Sequence, residues 1–156
     1  MRLTVCAVGR LRAGPERDLI DDYAARAERA GRGMGLGPVS FAEVEDKKGG
    51  GKSGEAALLA RALPAGARVI ALDERGKLLK SPDFAARLAD WRDGGAQDAA
   101  ILIGGADGLD PSLRARADLV LSLGHMVWPH MLARVMLAEQ IYRATQILAG
   151  TPYHRE

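Results

Sequence analysis

The sequence predicts a Rossmann-like α/β fold, a mostly parallel sheet flanked by helices, and three observations carry that expectation. Five short apolar runs recur along the 156 residues, segments of helical length separate them, and serine, aspartate and proline stand where helices would begin. Near-continuous apolar strands alternating with helices are what a parallel sheet buried on both faces requires.

Taken in order, the first run is Leu3 to Val8, followed by a segment of helical character from Pro15 to Ala30. Gly31 to Gly37 reads as a loop ahead of the second run, Val39 to Val44. Lys47-Lys48-Gly49-Gly50-Gly51-Lys52 reads as a basic loop, after which Ser53 stands as a capping residue before a helix from Glu55 to Leu63. The third run, Arg68 to Leu72, leads to Ser81-Pro82-Asp83, a capping serine before a first-turn proline, and a helix from Pro82 to Arg92. Ala99 to Ile103 is the fourth run, and Asp110-Pro111 repeats the device for a short helix ending at Arg116. Leu119 to Leu123 is the fifth run, and a long helix from His130 to Ala149 is stopped by Gly150-Thr151-Pro152.

A chain of 156 residues suits one domain, here residues 1–156, with no interdomain linker and no internal repeat. Hydrophobic residues at 47% and charged residues at 27% exclude an intrinsically disordered chain. The N-terminus shows no cleavage-site pattern, and no apolar run approaches the ~18 to 20 residues of a membrane span, so a cytoplasmic location is the expectation, with no membrane partner. Cys6 is the single cysteine, which excludes an intrachain disulfide and a cysteine-based metal site; the residue type predicts a small buried apolar side chain. A net charge of +2 gives no bulk basic field of the kind that announces nucleic-acid binding.

Two nucleotide motifs fail. Gly51-Lys52-Ser53 opens a helix, but the first glycine of a phosphate loop would fall at Asp46, whose carboxylate would repel phosphate. After the first strand, Gly9-Arg10-Leu11 offers one glycine where the dinucleotide fingerprint needs three. Lys47, Lys48 and Lys52 remain as polyanion contacts on a basic loop.

Ligands of parallel sheets sit outside the carboxyl ends of strands. Three turns stand there: Leu72-Asp73, Gly104-Gly105-Ala106-Asp107-Gly108, and Gly124 to His130. ILIGGADGL, residues 101–109, reads either as a plain strand-to-helix turn or as a backbone approach to a ligand. The stretch from Ser122 to His130, apolar with a proline and an aromatic, suits an adenine slot and equally a buried core loop. His130 shares a ligand spacing with no other histidine or cysteine, so no metal is expected, and Asp107 with Asp110 reads as turn and capping chemistry.

On the last helix, at about 100° per residue, Glu139, Arg143 and Gln146 form a polar stripe, while apolar residues cover about half the circumference. That breadth reads either as a well-buried helix or as a second-subunit contact. Arg134 falls inside the apolar arc and needs a partner or a ligand, which makes it a site or interface candidate. The tail Tyr153-His154-Arg155-Glu156 joins an aromatic, an imidazole and a guanidinium, suited to base stacking and phosphate contact.

With these residues in hand, the chain resembles a known family. ALD (residues 71–73), ILIGGADGL (101–109), LSLGHMVWPHMLARVMLAEQIYRA (121–144) and PYHRE (152–156), with CAVGRLR near the start, are similar to the ribosomal RNA large subunit methyltransferase H family over essentially the whole chain. That resemblance implies the SPOUT class: a C-terminal trefoil knot, a homodimer, and S-adenosyl-L-methionine bound in the knot. It implies methylation of N3 of a pseudouridine in helix 69 of the large-subunit rRNA, on the assembled ribosome, without a metal. Residue by residue, it implies cofactor contacts at Leu72, Gly105, Gly124, His125, Met126, Val127, Trp128 and Pro129. It sets Arg143, Tyr153, His154 and Arg155 against the RNA or the reacting base, with His154 as candidate general base and Arg143 as candidate catalytic charge. The chain departs from much of the family in Ala106-Asp107, where Pro-Glu is common, and in His125 and Trp128 inside the cofactor loop. A different class of function, a non-catalytic RNA- or nucleotide-binding module, would keep the fold and need no cofactor; a SPOUT enzyme acting on another RNA site is the third reading.

Overall fold

Five strands, β1 (Arg2–Val8), β2 (Val39–Val44), β3 (Arg68–Leu78), β4 (Asp98–Ile103) and β5 (Leu119–Ser122), form a sheet in the order β2-β1-β4-β3-β5, in a computed structural model that describes residues 1–153. Every pairing is parallel. Five α-helices connect and close the series: α1 (Pro15–Gly31), α2 (Gly51–Ala62), α3 (Ser81–Asp93), α4 (Pro111–Arg116) and α5 (His130–Leu148). The fold class and each expected strand and helix are present.

Alternation along the strands builds two cores. Leu3, Val5, Ile70, Ile101 and Ile103 point to one face and meet Phe84, Leu88 and Trp91 of α3 and Leu137 and Ile141 of α5. Cys6, Val8, Ala71 and Leu102 point to the other and meet Ala56 and Leu59 of α2 and Leu113 of α4. Strand β4 lies in the middle of the sheet with all six residues buried, so both sets of its side chains are covered. Truncating such a residue, Ile101 for example, costs about 2–5 kcal/mol. Cys6 is fully buried, and burial pushes its thiol up to about 11, as suits an inert core residue.

Helix α5 returns from the β5 edge to lie against α1 and α3. Its apolar arc is therefore covered largely by its own chain, with Leu137, Ala138, Ile141 and Ala144 buried and only the first-turn residues Met131 and Leu132 left 40% exposed.

Three boundaries differ from expectation, each for a physical reason. Strand β3 continues beyond Leu72 to Leu78, because Leu72 and Lys77 both pair with Leu121 and residues 73–76 bulge out of the ladder. Gly76 makes the return possible: a Cβ there would lie 2.5 Å from the carbonyl carbon of Leu121. Helix α2 starts at Gly51, so Ser53 lies inside it and caps nothing; the carboxylate of Asp46 instead sits against its first turn, 2.8 Å from where a Cβ of Gly54 would stand. Ser81 begins α3 without capping it, and its hydroxyl donates to Gln140 Oε1 at 2.7 Å. Asp110 does cap α4, accepting from Ser112 N at 2.9 Å. Within the 31–37 loop, Arg32–Met34 forms a single 3₁₀ turn.

Candidate functional site

The parallel sheet brings the bulge of β3 and the carboxyl ends of β4 and β5 to one rim, and the three segments identified from sequence meet there around a cleft of about 280 Å³. Each segment is held by its own chemistry. After β4, Gly108 N donates to Gly105 O at 3.0 Å, and a Cβ on Gly104 would lie 2.5 Å from the carbonyl carbon of Gly108. The turn therefore needs glycine for its own closure, as the plain reading held, and it also presents Gly105 to the cleft.

In the bulge of β3, Asp73 accepts from Arg75 N at 3.0 Å through one oxygen and from Arg114 Nη1 at 3.0 Å through the other. Arg114 Nη1 also donates to Leu109 O at 3.0 Å, so one guanidinium ties the bulge of β3 to the end of the turn after β4. After β5, the Ser122 hydroxyl meets both Gly124 N at 3.2 Å and Gly124 O at 3.0 Å. Gly124 has φ +128°, a conformation that L side chains rarely adopt, and the chain turns there into the apolar loop.

One wall of the cleft is apolar, formed by Leu72, Met126, Val127, Trp128 and Ala133. The lining also includes charged groups, Lys52, Glu74, Arg75 and Asp107 among them. Of the expected cofactor residues, Leu72, Gly105, Gly124, Met126, Val127 and Trp128 line the cleft, whereas His125 and Pro129 do not. His125 is exposed, and Pro129 starts α5 by accepting from Ala133 N at 3.0 Å. The apolar wall is itself open to water, with Met126 at 72% and Val127 at 85% exposure.

The structure brings together Arg143 and Tyr153. The Arg143 guanidinium carbon lies 5.1 Å from the Tyr153 ring centroid, and both side chains bond the carboxylate of Glu139, Arg143 Nε at 2.9 Å and the Tyr153 hydroxyl at 3.1 Å. Tyr153 also meets Tyr142 edge-on at 4.7 Å between centroids. Burial, reinforced by the Glu139 carboxylate, pushes the Tyr153 phenol up to about 12, so it stays a hydrogen-bond donor. His154 and Arg155 lie outside the described residues.

A larger cavity of about 510 Å³ adjoins the cleft and shares Ser122, Leu123 and Gly124 with it. It runs between α1 and α5, with Leu19, Tyr23, Leu78 and Phe84 on its apolar side and Glu139 and Gln140 on its polar side. Sequence reading missed this cavity and the part played by Glu139, although the i,i+4 spacing to Arg143 on the polar stripe was visible. It placed Lys52 on a free loop, whereas the earlier start of α2 carries Lys52 to the cleft.

Arg134 is neither a cleft residue nor an exposed interface residue. Only 2% exposed, it is held within its own chain by Glu43 through Nη1 and by Val8 O and Gly9 O through Nη2, while its Nε is buried without a hydrogen-bond partner among the described residues. Among the described residues no group of three or more His, Cys, Asp or Glu side chains is arranged to hold a metal ion. No helix there is long and apolar enough to cross a membrane.

The comparisons with known proteins agree with this frame. A family described as predicted SPOUT methyltransferase matches residues 1–154. The chain is 69% identical over 155 residues to the ribosomal RNA large subunit methyltransferase H of Dinoroseobacter shibae, covering 99% of each. It is 67% identical to the protein of the same name from Paracoccus denitrificans, over the full length of both. Among solved structures, a probable methylase family protein from Haemophilus influenzae superposes with TM-score 0.54 at 13% identity, over 99% of this chain and 70% of that one. A probable methyltransferase from Bordetella pertussis gives TM-score 0.53 at 15% identity, over 92% and 96%. At those identities the structural likeness speaks to the fold alone. Full-length identity to its relatives and the match over residues 1–154 show that the chain belongs to the SPOUT methyltransferase family, among the ribosomal RNA large subunit methyltransferases H.

Proposed function

We propose that this chain is a S-adenosyl-L-methionine-dependent methyltransferase of 23S rRNA, acting on N3 of a pseudouridine in helix 69 of the large subunit in assembled ribosomes. The observation that carries the reading is 69% identity, end to end, to a protein named ribosomal RNA large subunit methyltransferase H. The cleft at the carboxyl rim supports it.

The residues present fit the cofactor. An apolar wall of Leu72, Met126, Val127 and Trp128 suits the adenine ring, with the glycine turns at Gly105 and Gly124 leaving backbone amides approachable. Lys52 suits a carboxylate, and Glu74 and Asp107 an ammonium, at the amino-acid end. His125 and Pro129 then act on the loop's path instead of on the ligand. When bound, S-adenosyl-L-methionine supplies an electrophilic methyl group on sulfur.

The protein's own residues hold the acceptor base and manage its proton. N3 is a weak nucleophile while protonated, so the N3–H bond must break, its proton passing to the His154 imidazole as general base. Tyr153 and Arg155 hold the RNA beside it, and Arg143 adds positive charge that favours the deprotonated base. No metal takes part in this scheme.

Residues 1–156 act as a single domain, with the carboxyl-terminal turns threaded as the trefoil knot of the SPOUT class. The exposed run of Met126, Val127, Trp128, Met131 and Leu132 is a large apolar surface for a free chain, and a second copy of the chain covers it, making a homodimer. The working location is the cytoplasm, where assembled ribosomes are.

Mass spectrometry of large-subunit rRNA from a strain lacking the gene tests the proposal. Loss of one methyl group from the helix 69 pseudouridine, restored by the gene, is expected; loss at another site would redirect the target. Calorimetry that finds no S-adenosyl-L-methionine binding to folded protein would favour a non-catalytic binding module.

A further inference from the structure

We propose that Glu139 is a positioning residue for the reaction, its carboxylate fixing the tail at Tyr153. This rests on reading the tail as the substrate-facing half of the site.

An exposed i,i+4 pair on a helix, such as Glu139 with Arg143 at first sight, contributes little. The geometry here is of another kind, because both carboxylate oxygens are engaged and the donors come from different parts of the chain. Oε1 accepts from Arg143 Nε at 2.9 Å and from the Tyr153 hydroxyl at 3.1 Å, while Arg143 Nη2 lies 2.7 Å away. Oε2 accepts from Gln140 Nε2 at 2.8 Å, and Gln140 Oε1 in turn accepts from Ser81 Oγ at 2.7 Å on α3. Glu139 is thus the junction of a polar chain from α3, across α5, to the tail. Its side chain is 18% exposed, so water screens the junction weakly.

The tail meets that junction by folding back on the helix. Gly150, at φ +68°, reverses the chain, and Thr151 is then tied to Gln146 by its amide at 3.0 Å and its hydroxyl at 3.2 Å. Tyr153 next reaches Glu139, fourteen positions earlier in sequence. From Leu148 back to Glu139 is about 13 Å along the helix axis at 1.5 Å per residue. Two ties, at Thr151 and Tyr153, lay residues 150–153 back along α5, on the way to the helix end whose preceding loop lines the cofactor cleft. Glu139 also borders the larger cavity that shares Ser122, Leu123 and Gly124 with that cleft. The carboxylate does not line the cofactor cleft; it fixes Tyr153 and holds Arg143 against the Tyr153 ring.

The test compares Glu139→Gln, Tyr153→Phe, their double variant and a chain ending at Pro152, each in methyl transfer to ribosomes and in calorimetry with S-adenosyl-L-methionine. Glu139→Gln keeps the side-chain volume, and Tyr153→Phe keeps the ring while deleting the hydroxyl, so neither disturbs the helix core. Each single variant should lower turnover at saturating substrates, on the order of a hundredfold for Glu139→Gln, as an ångström-scale misplacement does. The double variant should be no worse than the poorer single, and cofactor affinity should not change. In a tyrosine absorbance titration, the raised phenol of Tyr153 should move down in Glu139→Gln while burial, the larger cause, still holds it above the ordinary range. Normal turnover in Glu139→Gln, with the chain ending at Pro152 inactive, would leave the tail's role standing and overturn the assignment of Glu139. Full activity in the chain ending at Pro152 would overturn the reading of the tail and the proposal with it.

Discussion

Arg134 and Glu43 meet at 3.2 Å across 91 residues of sequence, fastening the second turn of α5 to the end of β2. The same guanidinium donates to Val8 O at 2.5 Å and Gly9 O at 2.9 Å, where β1 ends. Burial lowers the affinity of Arg134 for its proton, and the Glu43 carboxylate opposes that loss. Removing one member of such a pair strands the other, at about 3–5 kcal/mol for a fully buried pair. Glu43 retains Arg17 and Leu11 N as partners, so Arg134→Met should cost about 3 kcal/mol, the low end of that range. Urea unfolding measures it; an unchanged midpoint would mean that the bonds across the sheet end contribute nothing net.

The adjacent glycines of the turn after β4 should behave differently. A Cβ on Gly104 meets backbone, 2.5 Å from Gly108 C, whereas one on Gly105 meets the mobile end of the Glu55 side chain at 2.8 Å. Gly104→Ala should therefore destabilise by about 1–3 kcal/mol and weaken S-adenosyl-L-methionine at least about tenfold. Gly105→Ala should leave stability within about 1 kcal/mol, since Glu55 can swing away. Thermal unfolding and calorimetry on both proteins check this, and equal penalties would contradict the steric distinction.

What the sequence made legible follows from which signals are local. The strands buried on both faces show as apolar runs, and β4 is the clearest because every residue from Asp98 to Ile103 is buried. The extension of β3 was hidden, since Asp73-Glu74-Arg75-Gly76 reads as a loop and only its return against Leu121 restores the ladder. Ser53 and Ser81 carried a genuine capping preference that tertiary contacts overrode: Asp46 packs on the first turn of α2, and Gln140 takes the Ser81 hydroxyl. The cleft was legible as three turns at strand ends because parallel topology fixes where those ends lie. Glu139 was not, because its partner Tyr153 comes from a chain reversal that no periodicity encodes.

Acid should act on the pair that joins the starts of β1 and β4. Arg2 Nε and Nη2 both lie 2.6 Å from the Asp98 carboxylate, and these hydrogen bonds hold Asp98 below its ordinary value despite partial burial. A carboxylate depressed in the folded state stabilises above its unfolded value, near pH ~3.9, and that contribution is lost as pH falls through the folded value. Asp98→Asn should therefore be less stable than the parent at neutral pH, with the gap closing only below about pH 4. Denaturant midpoints measured from neutral to acid would show it; a gap that persists unchanged at the lowest pH would assign the loss to shape and not to charge.

Exposed apolar side chains on the first turn of α5 should report association. Met131 and Leu132 are each 40% exposed beside the open loop residues Met126 and Val127. In the proposed homodimer a charge there would be buried without a partner. On the proposed homodimer, the unmodified protein should sediment as two chains and Leu132→Glu as one at the same concentration, while retaining its far-ultraviolet circular dichroism. A variant that still sediments as two would move the interface away from α5.

The remaining chemical question falls on His154, which lies beyond the described residues and enters only through the tail's resemblance to its relatives. If the imidazole takes the N3 proton, His154→Ala should lower turnover about 10²- to 10⁴-fold at saturating ribosome and cofactor, and added imidazole should restore part of it. Positioning alone can remove roughly 7–11 kcal/mol from a two-reactant barrier, so a site with no base is physically sufficient for a slow enzyme. The two cases separate in the rate and not in binding, because Tyr153 remains tied to Glu139 in either. Near-normal turnover in His154→Ala would leave orientation by the tail, together with the Arg143 charge, as the means by which the base is made nucleophilic.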